Sequence, residues 1–178
     1  MRFNVAQLLK EGVGARRWYA LEETIDTLPE TGTTRVKGEV TVTRIDKGVW
    51  VNGAVETNAS CACSRCLIQA EYSVHFQLDE EYLPTVDIDT GTTLKVEETQ
   101  EVREGTFTLD QNHTLDLTEA IRQYVIINLP MKPLCRQTCP GLCPSCGTNL
   151  NDRSCDCSAQ PDLRWSPLLD LLTAKGNG

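Results

Sequence analysis

Histidine is scarce in this chain, with two in 178 residues, and aromatic side chains make up only 6% of it. His75 and His113 have no convincing catalytic partner nearby in sequence. A nucleophile–base pair of the kind most acid–base and hydrolytic sites need is therefore missing, and the chain reads as a non-enzyme. Basic residues are also in deficit, 17 against 25 acidic ones, giving a net charge of −8 and a pI of about 4.8. That balance opposes unaided binding to nucleic acid, because neutralising phosphates takes a basic patch. An acidic face suits a basic protein instead. Long apolar runs are missing too: nothing approaches the roughly 20 residues of a membrane span. The segment Met1–Lys10 is too polar and too short for a signal peptide.

Cysteine, by contrast, is abundant. There are nine, an odd number, and without a secretion signal this argues against a disulfide framework and for thiols in a reducing, cytoplasmic compartment. Six of them crowd into Cys135-Arg-Gln-Thr-Cys139-Pro-Gly-Leu-Cys143-Pro-Ser-Cys146-Gly147 and Cys155-Asp-Cys157. Cys143-Pro-Ser-Cys146-Gly147 has the form of a zinc knuckle. Two thiolates of one tight turn reach one ion, and the glycine lets the backbone fold back so that amides point at the sulfurs. Cys155 and Cys157 follow closely enough to supply two more ligands. Four thiolates suit zinc first and an iron–sulfur centre second. A site closed by four protein sulfurs leaves no position for water or substrate, which makes the metal structural.

The upstream group is Cys61, Cys63 and Cys66. A thioredoxin-like role for Cys63-Ser-Arg-Cys66 would need a strand-to-helix context, and the residues that follow alternate like a strand. Elsewhere Val5, Leu8 and Leu9 predict a short helix that Gly12 and Gly14 end, and Arg16–Leu21 predict a strand with Trp18 and Ala20 on one face. Arg16-Arg17 beside Trp18-Tyr19 reads as solvated charge next to core aromatics rather than as an RNA-stacking pair. Val36, Gly38, Val40 and Val42 alternate with polar residues, turn at Asp46-Lys-Gly48, and return through Val49, Val51, Gly53 and Val55 as a hairpin. Tyr72, Val74, Phe76 and Leu78 predict a third long strand with His75 on its polar face. Residues 79–104 hold nine acids against Lys95 and Arg103 and predict a solvated loop. After a short strand at Thr106–Leu109, Asp116 and Glu119 start a helix whose apolar stripe is Leu117, Ile121, Val125 and Leu129. Pro130 ends it.

The expected fold is α+β: an antiparallel β-sheet or partial barrel with a packed helix and a cysteine-rich, zinc-binding C-terminal segment. Residues 1–134 form the core domain, with the acidic insert near 79–104. Residues 135–160 form the metal-binding segment joined to it. Residues 161–178 form a helix around Leu168–Leu172 and a tail.

In this order of elements, with Cys63-Ser-Arg-Cys66-Leu67, Leu129-Pro-Met-Lys-Pro-Leu-Cys135 and Gly141-Leu-Cys-Pro-Ser-Cys-Gly-Thr-Asn-Leu-Asn151, the chain resembles the YceD family of large ribosomal RNA subunit accumulation proteins. The resemblance implies a ribosome-biogenesis factor that supports accumulation or processing of large-subunit ribosomal RNA, without enzymatic activity. Its implied partners are the large-subunit precursor, a ribosomal protein or ribosomal RNA, with no membrane and no small-molecule substrate. It also implies a grouping of ligands into two sites, Cys63, Cys66, Cys135 and Cys139 in one and Cys143, Cys146, Cys155 and Cys157 in the other, with Cys61 left free. One ion held by Cys135 or Cys139 with Cys143, Cys146 and Cys155 stays open as the alternative, so one or two zinc ions are expected. Direct RNA contact would use Arg65, Lys132, Arg136, Arg153 and Arg164 around the cysteines, whereas the net charge favours a ribosomal protein. A zinc-dependent redox-responsive module, releasing metal on oxidation, is the other functional class compatible with these residues.

Overall fold

Alternating valines build the centre of a five-stranded sheet in the computed structural model, which describes residues 1–28, 32–94, 106–157 and 164. The elements in chain order are β1 (Arg2–Asn4), α1 (Ala6–Leu9), β2 (Arg16–Leu28), β3 (Gly32–Arg44), β4 (Val49–Ala62), β5 (Gln69–Pro84), β6 (Phe107–Leu109), β7 (Thr114–Asp116) and α2 (Thr118–Asn128). The large sheet runs β2-β3-β4-β5-β6, with β2–β3 and β3–β4 antiparallel and β6 parallel to β5. β1 and β7 pair antiparallel as a separate two-stranded ribbon. Neither sheet closes on itself, so the partial-barrel form of the expectation gives way to an open, mixed sheet.

The chain divides into two compact units, Met1–Cys61 with Gln69–Pro133, and Ala62–Ile68 with Leu134–Gly178. In the first, Val36, Val40 and Val42 of β3, Val49, Val51 and Val55 of β4, and Val74, Phe76 and Leu78 of β5 point to one face and are buried. Each such side chain contributes about 1.5–3 kcal/mol by leaving water. Leu8 and Leu9 of α1 and Ala120, Ile121 and Val125 of α2 complete this core. Tyr124 stacks obliquely on Phe76, with ring centroids 5.4 Å apart.

The start of α2 is held as its sequence suggests. Asp116 Oδ1 accepts the Thr118 N–H at 3.0 Å, and Glu119 takes both Arg122 Nε and Nη2 at 2.9 and 2.8 Å. At its end Leu129 is extended (φ −71°, ψ 143°), the conformation that the following proline imposes on its neighbour.

Two expectations change. The acidic stretch is not a loop from its start: Asp79–Pro84 continue β5, Tyr82 is buried, and Thr85–Leu94 form a turn closed by the Val86–Thr93 bridge. The rest of that insert lies outside the described residues, as does the terminal helix expected at Leu168–Leu172. The second change concerns Trp18, which is 74% exposed while Tyr19 packs inward against Phe3. The short N-terminal strand β1 was not anticipated, because its partner β7 lies more than a hundred residues away.

Candidate metal centres

The second unit is built on two turns of the same design. In Cys63-Ser-Arg-Cys66-Leu67, the Leu67 N–H donates to the Cys63 carbonyl at 2.9 Å and the Cys63 N–H donates to the Ile68 carbonyl at 2.8 Å. In Cys143-Pro-Ser-Cys146-Gly147, the Gly147 N–H donates to the Cys143 carbonyl at 2.9 Å and the Cys143 N–H to the Thr148 carbonyl at 2.8 Å. The residue after the second cysteine is left-handed in both turns, Leu67 at φ 62° and Gly147 at φ 72°. This fold-back places two sulfurs on one side of each turn.

Each turn is completed by a pair from further along the chain. The sulfurs of Cys63, Cys66, Cys135 and Cys139 all lie within 4.8 Å of one another, and so do those of Cys143, Cys146, Cys155 and Cys157. Cys63 Sγ is 3.9 Å from Cys139 Sγ, and Cys66 Sγ is 3.5 Å from Cys135 Sγ. A tetrahedron with metal–sulfur bonds of about 2.3 Å has sulfur–sulfur edges of roughly 3.8 Å. The spacing fits four thiolates around one ion and is far too long for a disulfide, whose sulfurs lie about 2.05 Å apart. Cys61, partly buried on β4, belongs to neither group, and burial raises its pKa.

The two groups differ in setting. Cys63, Cys66 and Cys139 are buried with Leu134, Cys135 and Leu142 packed around them. In the other group Cys146 and Cys157 are exposed. Backbone and side-chain donors tune both. Burial pushes the Cys63 thiol up, but nearby N–H groups, among them that of Arg65, outweigh it and bring it down to about 6. Partial burial and the neighbouring sulfurs push Cys135 up to about 12. Thr148 stabilises the Cys146 thiolate and lowers it to about 6, with Oγ1 3.1 Å from the sulfur, whereas Cys157, facing Cys146, is raised to about 12. In each group part of the set ionises readily and the rest resists. A divalent cation among the sulfurs would supply the missing positive charge.

The eight cysteines expected from the sequence as ligands are the ones drawn together here, while the side chains that brace them were not anticipated. Asn151 Nδ2 donates to Cys139 Sγ at 3.3 Å and to Asn149 Oδ1 at 2.9 Å, so the Asn149-x-Asn151 pair braces the first group. Arg65 donates through Nη1 to the Cys139 carbonyl at 2.7 Å and accepts the Leu142 N–H at 3.2 Å on its own carbonyl. Gly141, at φ 83°, lies so close to that carbonyl that a Cβ would sit 3.0 Å from it. The basic side chains Arg136 and Arg153 are in the same unit and exposed.

Two tight turns, each joined by a distant pair of cysteines into a four-sulfur set, in a chain that also carries an open mixed-sheet unit, define a class: a β-rich protein with two knuckle-type candidate metal centres. Comparison with known proteins narrows the class to a family. The model for "Large ribosomal RNA subunit accumulation protein YceD" matches residues 51–172, more than half of the chain and all eight clustered cysteines. The chain belongs to the YceD family. It is 34% identical over 134 residues to an uncharacterized protein of Mycobacterium tuberculosis, covering 75% of this chain and 60% of that protein. An uncharacterized protein of Mycobacterium leprae is 29% identical over 161 residues, covering 86% of this chain and 70% of the relative. The chloroplastic large ribosomal RNA subunit accumulation protein YCED homolog 1 of Arabidopsis thaliana is 30% identical over 156 residues, or 78% of this chain and 49% of that protein. The chain thus spans between about half and 70% of the length of these relatives. No solved structure gives a significant match.

Proposed function

We propose that this protein is a non-enzymatic ribosome-biogenesis factor, cytoplasmic, that supports accumulation of large-subunit ribosomal RNA by holding a ribosomal protein on its acidic surface. The family match over residues 51–172, which spans both four-sulfur groups, carries this reading. Two zinc ions, one in each group, serve as structural ties: four thiolates fill a tetrahedral shell and leave no position for a substrate.

Charge favours a protein over RNA as the direct partner. In the second unit Arg65, Arg136, Arg153, Arg164 and Lys175 exceed Asp152, Asp156, Asp162 and Asp170 by one, so the sheet unit carries a net −9. Each zinc bound by four thiolates adds two further negative charges to the second unit. A tagged pull-down with and without nuclease, followed by sedimentation, tests the reading. Recovery of large-subunit precursors, with a ribosomal protein still held after nuclease, is the expected result. Recovery of no ribosomal component would refute it.

A redox-responsive zinc module is the second reading, favoured by the exposure of Cys146 and Cys157. It requires mild peroxide to release metal from the second group with a change in function. Metal that stays bound under peroxide while function persists would exclude it.

A further inference from the structure

The side of the large sheet that faces away from the core carries an unusual pair. Trp18 on β2 is 74% exposed and Trp50 on β4 is 41% exposed. Their register places them on either side of β3: Trp18 is opposite Thr41 and Trp50 is opposite Thr43. They therefore stand diagonally, about 12 Å apart, two strand spacings across and two residues along β3, with the two threonines between them. The result is a trough along β3 floored by the two hydroxyls, with Trp18 facing Asn52 across Thr41 and Trp50 facing Arg16 across Thr43.

One step along β3 on the same face is Glu39. Its cross-strand neighbours are Ala20 on β2 and Ala54 on β4, so its carboxylate stands between two methyl groups. Lys37 follows Glu39 on this face, opposite Glu22 on β2 and Glu56 on β4. Glu22 pairs with Arg35, and Glu56 lies 3.7 Å from His75 Nδ1. From Glu39 the trough opens into a cavity of about 780 Å³ lined by Lys37, Ala54, Glu56, His75 and Gln77. The unit that carries this face also carries the chain's negative charge.

We infer that this trough binds an extended, arginine-bearing segment of a basic protein, one guanidinium stacking on an indole while its fork engages Glu39. Arginine matches both features at once, since its planar cation stacks on tryptophan and forms two parallel hydrogen bonds with a carboxylate. Single-stranded RNA would also stack on tryptophan, but its phosphates would meet Glu39 and an acidic domain instead of the basic groove such binding needs. The inference names the partner class of the proposed function and rests on that reading only for the partner's identity. The trough itself rests on geometry.

Calorimetric titration of the full chain tests it, with an arginine–glycine repeat peptide, the matching lysine–glycine peptide and a single-stranded RNA oligonucleotide as probes. The arginine peptide should bind more tightly than the lysine peptide. The Trp18→Ala/Trp50→Ala variant should bind it about tenfold more weakly, and Glu39→Gln several-fold more weakly. Both variants alter exposed side chains, and unchanged thermal unfolding establishes that they fold. Arginine binding unaffected by either variant would overturn the inference, as would equal binding of the two peptides or tryptophan-dependent binding of the RNA. The same double variant in the pull-down separates this claim from the assembly reading. If precursors still co-purify with it as with the parent chain, the trough fails and the assembly reading stands. If the parent chain recovers no precursors yet shows tryptophan-dependent arginine binding, the trough stands and the assembly reading fails.

Discussion

Leu67 and Gly147 occupy the same position in two turns of common design, each left-handed and each donating its N–H to the carbonyl of the first cysteine at 2.9 Å. Glycine adopts that backbone freely, whereas a leucine there bears a Cβ clash of roughly 1–2 kcal/mol. The first turn keeps its shape with the less suitable residue. Its hydrogen bonds and its packing around three buried cysteines enforce it.

Leu67 is 65% exposed, so trimming it sacrifices little burial. Leu67→Gly should leave stability unchanged or raise it by up to about 1 kcal/mol, the relief of strain being partly offset by the greater freedom of glycine in the unfolded chain. Gly147→Leu should lower it by about 1 kcal/mol. Thermal unfolding of the two variants beside the parent chain measures the contrast, and a destabilised Leu67→Gly would show that the leucine side chain supports the turn.

Asn151 reaches Cys139 Sγ from outside the sulfur set. Donors of this kind orient ligands and offset their charge, and losing one commonly costs 10–100-fold in metal affinity. Asn151→Ala should weaken one zinc by about that factor and leave the other unchanged, as read by competition with a chromophoric chelator. Equal loss at both sites would mean that the asparagine acts through the fold of the whole unit.

Acid should weaken the sheet unit at Asp116. Burial raises the Asp116 carboxyl, but hydrogen bonds from Thr118 and Arg2 outweigh this and hold it at about 2. The folded value lies below the unfolded value near 4. The stabilisation is therefore present above about pH 4 and lost as the pH falls toward 2. With the side chain 40% exposed, screening reduces it to about 1 kcal/mol. Asp116→Asn should be less stable than the parent by about that amount at neutral pH and should converge with it in acid. Denaturant unfolding at pH 7 and pH 2.5 checks both.

Much of this was legible in the residues. Alternation at Val36–Val42, Val49–Val55 and Tyr72–Leu78 identified three strands and their inward faces, and the stripe Leu117, Ile121, Val125 identified α2. The acidic stretch was misleading because Asp79 and Glu81 occupy the outward positions of β5 while Leu78 and Tyr82 keep the inward rhythm. Charge density hid the period. Trp18 was misread because an exposed and a buried aromatic give the same alternation, and only pairing with Thr41 decides which face it takes. The β1–β7 ribbon and the parallel β5–β6 pair join distant segments, which no local pattern encodes. The cysteines were read as candidate ligands, but spacing alone left Cys135 and Cys139 free to join either group. Spatial proximity places them with Cys63 and Cys66.

The most direct test is a metal count by native mass spectrometry with X-ray absorption at the zinc edge, on the parent chain and on Cys63→Ser, Cys143→Ser and Cys61→Ser. Two zinc ions per chain, each in a shell of four sulfurs at about 2.3 Å, are expected. Cys63→Ser and Cys143→Ser should each lose one ion, and Cys61→Ser should keep both. A single ion per chain, a shell containing nitrogen or oxygen, or the visible absorbance of an iron–sulfur cluster would contradict two closed zinc centres.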